Sequence, residues 1–374
     1  MQLMDTNSTS QASSPAADQS EMLLYVLHSG QLFGTERMAI STLKQLGQSF
    51  NSLLLAPPGG AVAYARKNQI KSQSFSGHWQ LIRQMLKAFS GQRRVTLVAT
   101  GISHSLTGII LASLLGIELR HLHIVHGGTD ERLSYGRKKW LRWFRLDFIA
   151  VSQFVRQRLI AHQVPATQIT VIENFLTEQD MPRRTSFTKA VANAIVVSRL
   201  DPIKRVGLLL DALQSDSVLQ QFQVDVYGSG WQEHDLRSRA SQHGLNVRFA
   251  GFSSQIPGLL AAADLLIHTC PEEPFGLVIL EAMTAGIPVL VPDSGGPSDF
   301  ICDGENGFVY RANDAAHLAA RLQEIKAMPA QRINLIVAAA RLTLSQRFSA
   351  TQRIADYRRI FSQPSTTINN GEIA

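Results

Sequence analysis

The feature that most limits how this chain can fold is a strand-then-helix rhythm that runs along it twice. Short apolar runs, suited to buried parallel strands, lie at Leu23–Leu27, Ser52–Ala56, Val95–Thr100, His121–His126 and Phe148–Ser152. Stretches with helical spacing fall between them, such as Glu36–Leu46 and Thr107–Leu115. This alternation predicts an α/β fold in which helices cover both faces of a doubly wound parallel sheet. The stretch Leu176–Thr188 is polar and irregular and reads as a linker. The rhythm then restarts. Strands are expected at Ala194–Ser198, Val224–Gly228, Val247–Ala250, Leu265–Thr269 and Val289–Val291, with helices at Val206–Gln214, Glu233–His243 and Gln255–Ala263. Two Rossmann-like domains facing across a cleft follow, with ligand expected at the carboxyl ends of the strands. The expected division is a tail at 1–20, a first domain at 21–180, a linker at 181–190, a second domain at 191–345, a terminal helix at 346–362 and a tail at 363–374. Both tails read as disordered, the first being rich in Ser, Gln, Ala and Thr.

The length of 374 residues agrees with about two domains. Cys270 and Cys302 are too few for a disulfide framework and show no metal spacing, so a reduced, cytoplasmic setting is the default. Met22–Leu27 is too short for a signal peptide and lacks a basic flank. No apolar run reaches membrane-spanning length. The net charge of +7 favours anionic partners. No zinc finger, RNA-binding aromatic motif or long basic block accompanies it, so nucleic acid is not an expected partner.

The densest chemistry lies in Pro271–Leu290, where Glu273 and Glu281 stand with seven residues between them. A Pro-Phe-Gly turn after Glu273 opens a short helix that Gly286 and Pro288 close. The first amides of that helix, around Phe275, Gly276 and Leu277, lack intrahelical partners and sit at the positive end of its dipole. They form an anion site flanked by two carboxylates, which suits a ligand carrying both phosphates and hydroxyls. A bare pair of glutamates at this spacing would equally fit an amphipathic helix with two solvated side chains.

The embedding residues decide between the two. Glu-Pro-Phe-Gly, then Glu-Ala-Met, then Ala-Gly-Ile-Pro-Val resembles the Glu-x7-Glu motif of the retaining glycosyltransferases of family 4, which have the GT-B fold. Val197–Lys204, Tyr227–Gly230, Phe249–Phe252, Gly295-Gly296 and Asp303–Gly307 resemble further segments of that family. Val151–Gln153 and Ile172–Asn174 do the same in the first domain. Phe348–Phe361 resembles the helix that crosses back to the first domain.

The resemblance implies a nucleoside-diphosphate sugar as donor and a glycan or lipid-linked acceptor. Glu273 would hold the sugar hydroxyls, Glu281 the ribose, and Arg199 with Lys204 the leaving diphosphate. His126 would lie near the reacting carbon, with His28 and His104 as further candidates. Gly34 would let backbone approach the donor, although Phe33 stands where the family has a first glycine. Gly228 belongs to the second glycine loop, and the base would pack near Arg248–Phe252. There is no Asp-x-Asp motif for a metal-bridged diphosphate, so neither metal nor cofactor is expected. Two other readings stay open: an epimerase or phosphorylase on the same fold, and a catalytically silent partner of a transferase. A dehydrogenase is disfavoured, because no Gly-x-Gly-x-x-Gly follows the first strand.

One stretch stands apart. Arg137, Lys138, Lys139, Trp140, Arg142 and Trp143 interleave cations with aromatic rings. If helical, Trp140, Leu141 and Phe144 share one side. The stretch can lie in an anionic membrane interface, which would make the protein peripheral on the inner face of the cell membrane. It can equally be an amphipathic helix with its rings in the core and its cations in water.

Overall fold

The computed structural model describes residues 21–47, 50–128, 131–176 and 181–362. The two expected tails lie outside the described residues. The first domain carries a parallel sheet of β1 (Met22–Val26), β2 (Asn51–Ala56), β3 (Ser72–Ser74), β4 (Arg94–Ala99), β5 (Glu118–Val125), β6 (Asp147–Ala150) and β7 (Ile169–Val171), in the order β3-β2-β1-β4-β5-β6-β7. The second carries β8 (Asn193–Val197), β9 (Gln223–Tyr227), β10 (Val247–Gly251), β11 (Leu266–Ile267), β12 (Val289–Pro292) and β13 (Phe308–Tyr310), in the order β10-β9-β8-β11-β12-β13. Every pairing in both sheets is parallel.

The central strands are buried on both faces, which explains their continuous apolar runs; Leu23, Leu24, Leu97, Val98, Ile149 and Val291 are solvent-free. Edge strands need less apolar sequence. The polar β3 and short β7 and β13 therefore gave no clear signal, nor did the helices Gly60–Lys67 and His78–Phe89.

The order reverses at the β1–β4 neighbour pair, where a crevice opens at the carboxyl ends. Residues 181–188 carry no regular structure and are pinned to the second domain: the Arg184 amide donates to Ala285 O at 2.8 Å and its guanidinium to Asp264 at 2.8 Å. The helix Ala350–Ser362 returns to the first domain. There Phe361 meets Phe50 edge-on, 5.7 Å between centroids. Arg120 of β5 reaches the Ile360 carbonyl at 3.2 Å while paired with Asp147 of β6. Arg120 and Asp147 are both buried, so each depends on the other for compensation.

Candidate functional site

A cleft of about 420 Å³ lies between the sheets. Its walls are the loops that leave the carboxyl ends of β1, β5, β7, β8 and β11. Gly34, His126, Arg199, Lys204, Glu273, Phe275, Gly276 and Leu277 all line it, so eight of the expected site residues meet here.

The second-domain wall is charged. Lys204 Nζ donates to Glu273 Oε2 at 2.6 Å, and His268 Nε2 lies 3.4 Å from the same oxygen. Burial alone would push the Glu273 carboxyl up. Lys204 and then His268 outweigh that and hold it well below the usual carboxylate range. Burial likewise pulls the Lys204 ammonium down, and Glu273 reverses this, so both groups stay ionised. Thr269 Oγ1 fixes the loop by donating to Lys204 O at 2.5 Å. Arg199 is half-exposed and pairs with Asp201 at 2.7 Å.

The Glu273 loop has little freedom. The Gly296 amide donates to Glu273 O at 2.7 Å, and a Cβ at Gly296 would lie 2.2 Å from Pro274 O. Gly276 caps the helix Leu277–Ala285 at φ 86°, a left-handed conformation that favours glycine.

The first-domain wall is mostly uncharged. Ser29, Phe33 and Gly34 come from the loop after β1, His126, Gly127 and Gly128 from the loop after β5, and Asn174 from beyond β7. Glu36 is buried and accepts from the Phe33 amide at 3.1 Å, capping its own helix. His126 Nε2 and Asn174 Oδ1 are solvent-excluded and have no hydrogen-bond partner. Burial, then His28, lowers His126 to about 3, so its imidazole is neutral. His28 lines the cleft and bonds Thr100 Oγ1 at 2.9 Å, whereas His104 is buried behind it. The walls touch at Pro274: Ser152 Oγ donates to Pro274 O at 2.6 Å, and a Cβ at Gly127 would lie 2.4 Å from Pro274 Cγ.

Four residues expected at the donor lie elsewhere. Glu281 is not among the residues lining the cleft and is ion-paired across the domains with Arg37 at 3.7 Å; burial raises its carboxyl, partly countered by Arg37. Gly228 serves packing: its amide donates to Gly251 O at 2.8 Å, and a Cβ would lie 1.8 Å from Ser198 O. Arg248 is exposed and held by Asp225 at 2.8 and 2.6 Å. Phe252 is also exposed.

Sequence reasoning missed His268, Cys270 and Asn174. The signal was a polar residue just past a strand end, as His268 is past Leu266–Ile267. Cys270 has no metal spacing in sequence, yet ligand atoms of His268, Cys270 and Glu273 lie within 4.8 Å of one another. Two facts oppose a metal there. Lys204 already occupies Glu273, and burial pushes the Cys270 thiol up to about 11.

The basic-aromatic stretch forms a 3-10 helix at Gly136–Trp143 that turns Lys138 and Leu141 inward. Lys138 is therefore not part of any membrane-facing patch, and Leu141 does not share a side with Trp140. The tighter 3-10 turn, with three residues per turn, puts positions 138 and 141 on one line toward the core. Burial lowers Lys138 to about 8. Trp140, Trp143 and Phe144 remain exposed. Among the described residues no helix is long and apolar enough to cross a membrane.

Two family models match: Glycosyltransferase Family 4 over residues 34–179 and Glycosyl transferases group 1 over residues 178–342. The chain belongs to these group 1, family 4 glycosyltransferases, and its fold is GT-B. Among curated proteins it is 36% identical over 110 residues to the lipopolysaccharide core biosynthesis glycosyltransferase LpsE of Rhizobium meliloti, covering 29% of this chain and 32% of that one. It is 31% identical over 179 residues to the phosphatidyl-myo-inositol mannosyltransferase of Mycobacterium leprae, covering 46% and 47%. The matched stretches thus span less than half of either relative. The structure of HepE from Anabaena in complex with UDP-glucose superposes with a TM-score of 0.79 at 22% identity, covering 91% of this chain and 99% of that one.

Proposed function

We propose that this chain is a retaining glycosyltransferase that moves a hexose-type sugar from a nucleoside-diphosphate sugar to a glycan or lipid-linked acceptor, without a divalent metal. The observation that carries the reading is the ionised Lys204–Glu273 pair beside the opening of the helix Leu277–Ala285, inside a cleft walled by both domains. Lys204, Arg199 and the free amides at the helix start supply the positive charge a departing diphosphate needs. Glu273, kept ionised by Lys204, accepts from sugar hydroxyls. The neutral His126 and the unpaired Asn174 offer hydrogen bonds on the opposite side of the sugar. No side chain in the cleft is assigned as a covalent nucleophile. In this reading the acceptor attacks from the face the phosphate leaves, and the phosphate takes its proton. The bound donor of HepE supports UDP-glucose as the first donor to try.

The test is titration calorimetry with UDP and UDP-glucose, with and without chelator, followed by release of UDP in the presence of acceptor glycolipids. Binding that survives chelation, with UDP release, is expected. Binding abolished by chelation would refute the metal-free mechanism, and absence of binding by any nucleotide sugar would refute the donor site.

A further inference from the structure

Among the helices on one face of the first-domain sheet, the central one, Ile102–Leu115, lacks an ordinary outer surface. His78–Phe89 packs on Ile102–Leu115, which packs on the 3-10 helix Gly136–Trp143. Their inner sides bury Leu81, Met85, Leu111 and Leu141. Their outer sides leave Trp79, Ile110, Leu114, Trp140 and Trp143 exposed by 84, 57, 77, 61 and 55%. The helix Ile102–Leu115 contains no charged residue at all, although a helix at a water surface normally carries a polar stripe there. Exposed apolar groups on this scale on neighbouring elements mark an interaction surface.

Charge identifies the occupant. The span His78–Leu146 holds eleven Lys and Arg against three acidic residues, Glu118, Asp130 and Glu131; with the buried Arg120 and Lys138 set aside, nine cations remain. Glu118 already faces Arg94 at 3.8 Å. Lys139 lies over the Trp140 ring at 5.5 Å and Arg142 over Trp143 at 4.7 Å, so both indoles of the 3-10 helix carry a cation. Beside Trp140 a pocket of about 330 Å³ is lined by Gly136, Arg137, Lys139, Trp140, His162 and neighbours, with no acidic residue. A phosphate fits there, and the indoles match the depth of lipid headgroups.

We propose that this face docks on an anionic phospholipid bilayer. Trp79, Leu114, Trp140 and Trp143 enter the interface, and the pocket beside Trp140 takes a headgroup phosphate. A second copy of the chain is a poor alternative occupant, because self-pairing would press like charges together. The proposal stands apart from the transfer reading, because vesicle binding is measured without donor or acceptor.

The experiment is cosedimentation of the full chain with vesicles of equimolar phosphatidylglycerol and phosphatidylcholine, and with phosphatidylcholine alone. Binding to the anionic vesicles at low salt, lost at high salt, is expected. R137Q/K139Q should weaken it about 30-fold, each cation contributing comparably. W140S/W143S should weaken it at least ~10-fold. Both variants should keep wild-type melting temperature and nucleotide affinity, since these side chains are at the surface. Failure of the wild-type protein to sediment with anionic vesicles overturns the proposal. So does equal binding to phosphatidylcholine alone, or a concentration-dependent dimer that W140S/W143S abolishes.

Discussion

The cations on the second-domain wall of the cleft are already paired, Lys204 with Glu273 and Arg199 with Asp201. On the first-domain wall, His126 Nε2 and Asn174 Oδ1 are buried with no partner. A paired charge is a finished electrostatic device that acts on any ligand of the right sign. An unpartnered buried atom is unfavourable until a ligand hydroxyl arrives, so it selects by shape and position. The comparison therefore assigns affinity for the phosphates to one wall, with Glu273 there on the sugar hydroxyls, and the remaining choice among sugars and acceptors to the other.

Acid should separate the two domains most strongly. Burial lowers His104 to about 4, and His121 and His126 to about 3, all in the first domain. Each folded value lies below the unfolded one, so the stability is present above about pH 6.5 and is lost as pH falls toward the folded values. At pH 5 each histidine costs about 2 kcal/mol. Glu273 has the opposite tendency in its surroundings: its lowered pKa keeps its contribution intact at pH 5. Hydrogen exchange from pH 7.5 to pH 5 should show β4 and β5 losing protection before β8 and β12. The reverse order would break the comparison.

Within the cleft, Lys204→Ala should lower turnover by at least ~10²-fold, as loss of a transition-state charge contact does. Glu273→Gln should impair turnover more than nucleotide binding, because it leaves Lys204 and the helix amides in place. Steady-state kinetics with calorimetry tests both. Wild-type turnover in Lys204→Ala would remove the electrostatic role from this wall.

His126→Ala should be milder. The lost interaction is one hydrogen bond from a neutral imidazole, about 0.5–1.5 kcal/mol, so kcat/KM should fall about 3- to 10-fold with UDP affinity unchanged. If UDP affinity falls equally, the first-domain wall binds phosphate after all.

The same difference explains what could be read from the sequence. The second-domain wall was legible because Glu273, Phe275, Gly276 and Leu277 are contiguous, and their turn, cap and helix leave a local pattern. The first-domain wall comes from loops after β1, β5 and β7, so Ser29 and Asn174 join the expected His126 only once the sheet order is set. Gly228 shows the converse error. A glycine at a strand end looks like a ligand loop, yet here it is required by contact with the Ser198 carbonyl. In the basic-aromatic stretch the composition was legible but the helix type was not. A 3-10 turn, rather than an α-helix, is what hides Lys138.

The smallest expected effect concerns an ion pair between the two domains, Arg37 to Glu281 at 3.7 Å. Arg37 is half-exposed, so water and salt screen the pair, and it is worth at most about 1 kcal/mol. If Glu281 accepts from the ribose hydroxyls, as the family resemblance implies, Arg37 competes with the ribose for the same carboxylate. Removing it frees acceptor capacity but also leaves a half-buried carboxylate that burial already pushes toward protonation. The two effects oppose each other, with the first favoured near pH 7.5, where the carboxylate remains ionised. Arg37→Ala should therefore tighten UDP by less than about 5-fold. The gain should shrink as pH falls, because burial raises the Glu281 carboxyl and favours its protonated form. Glu281→Gln should weaken UDP and erase any effect of Arg37→Ala in the double variant. A loss of affinity above tenfold in Arg37→Ala alone would mean that Arg37 itself holds phosphate. The first-domain wall would then be charged in function, and the division between the two walls would fail.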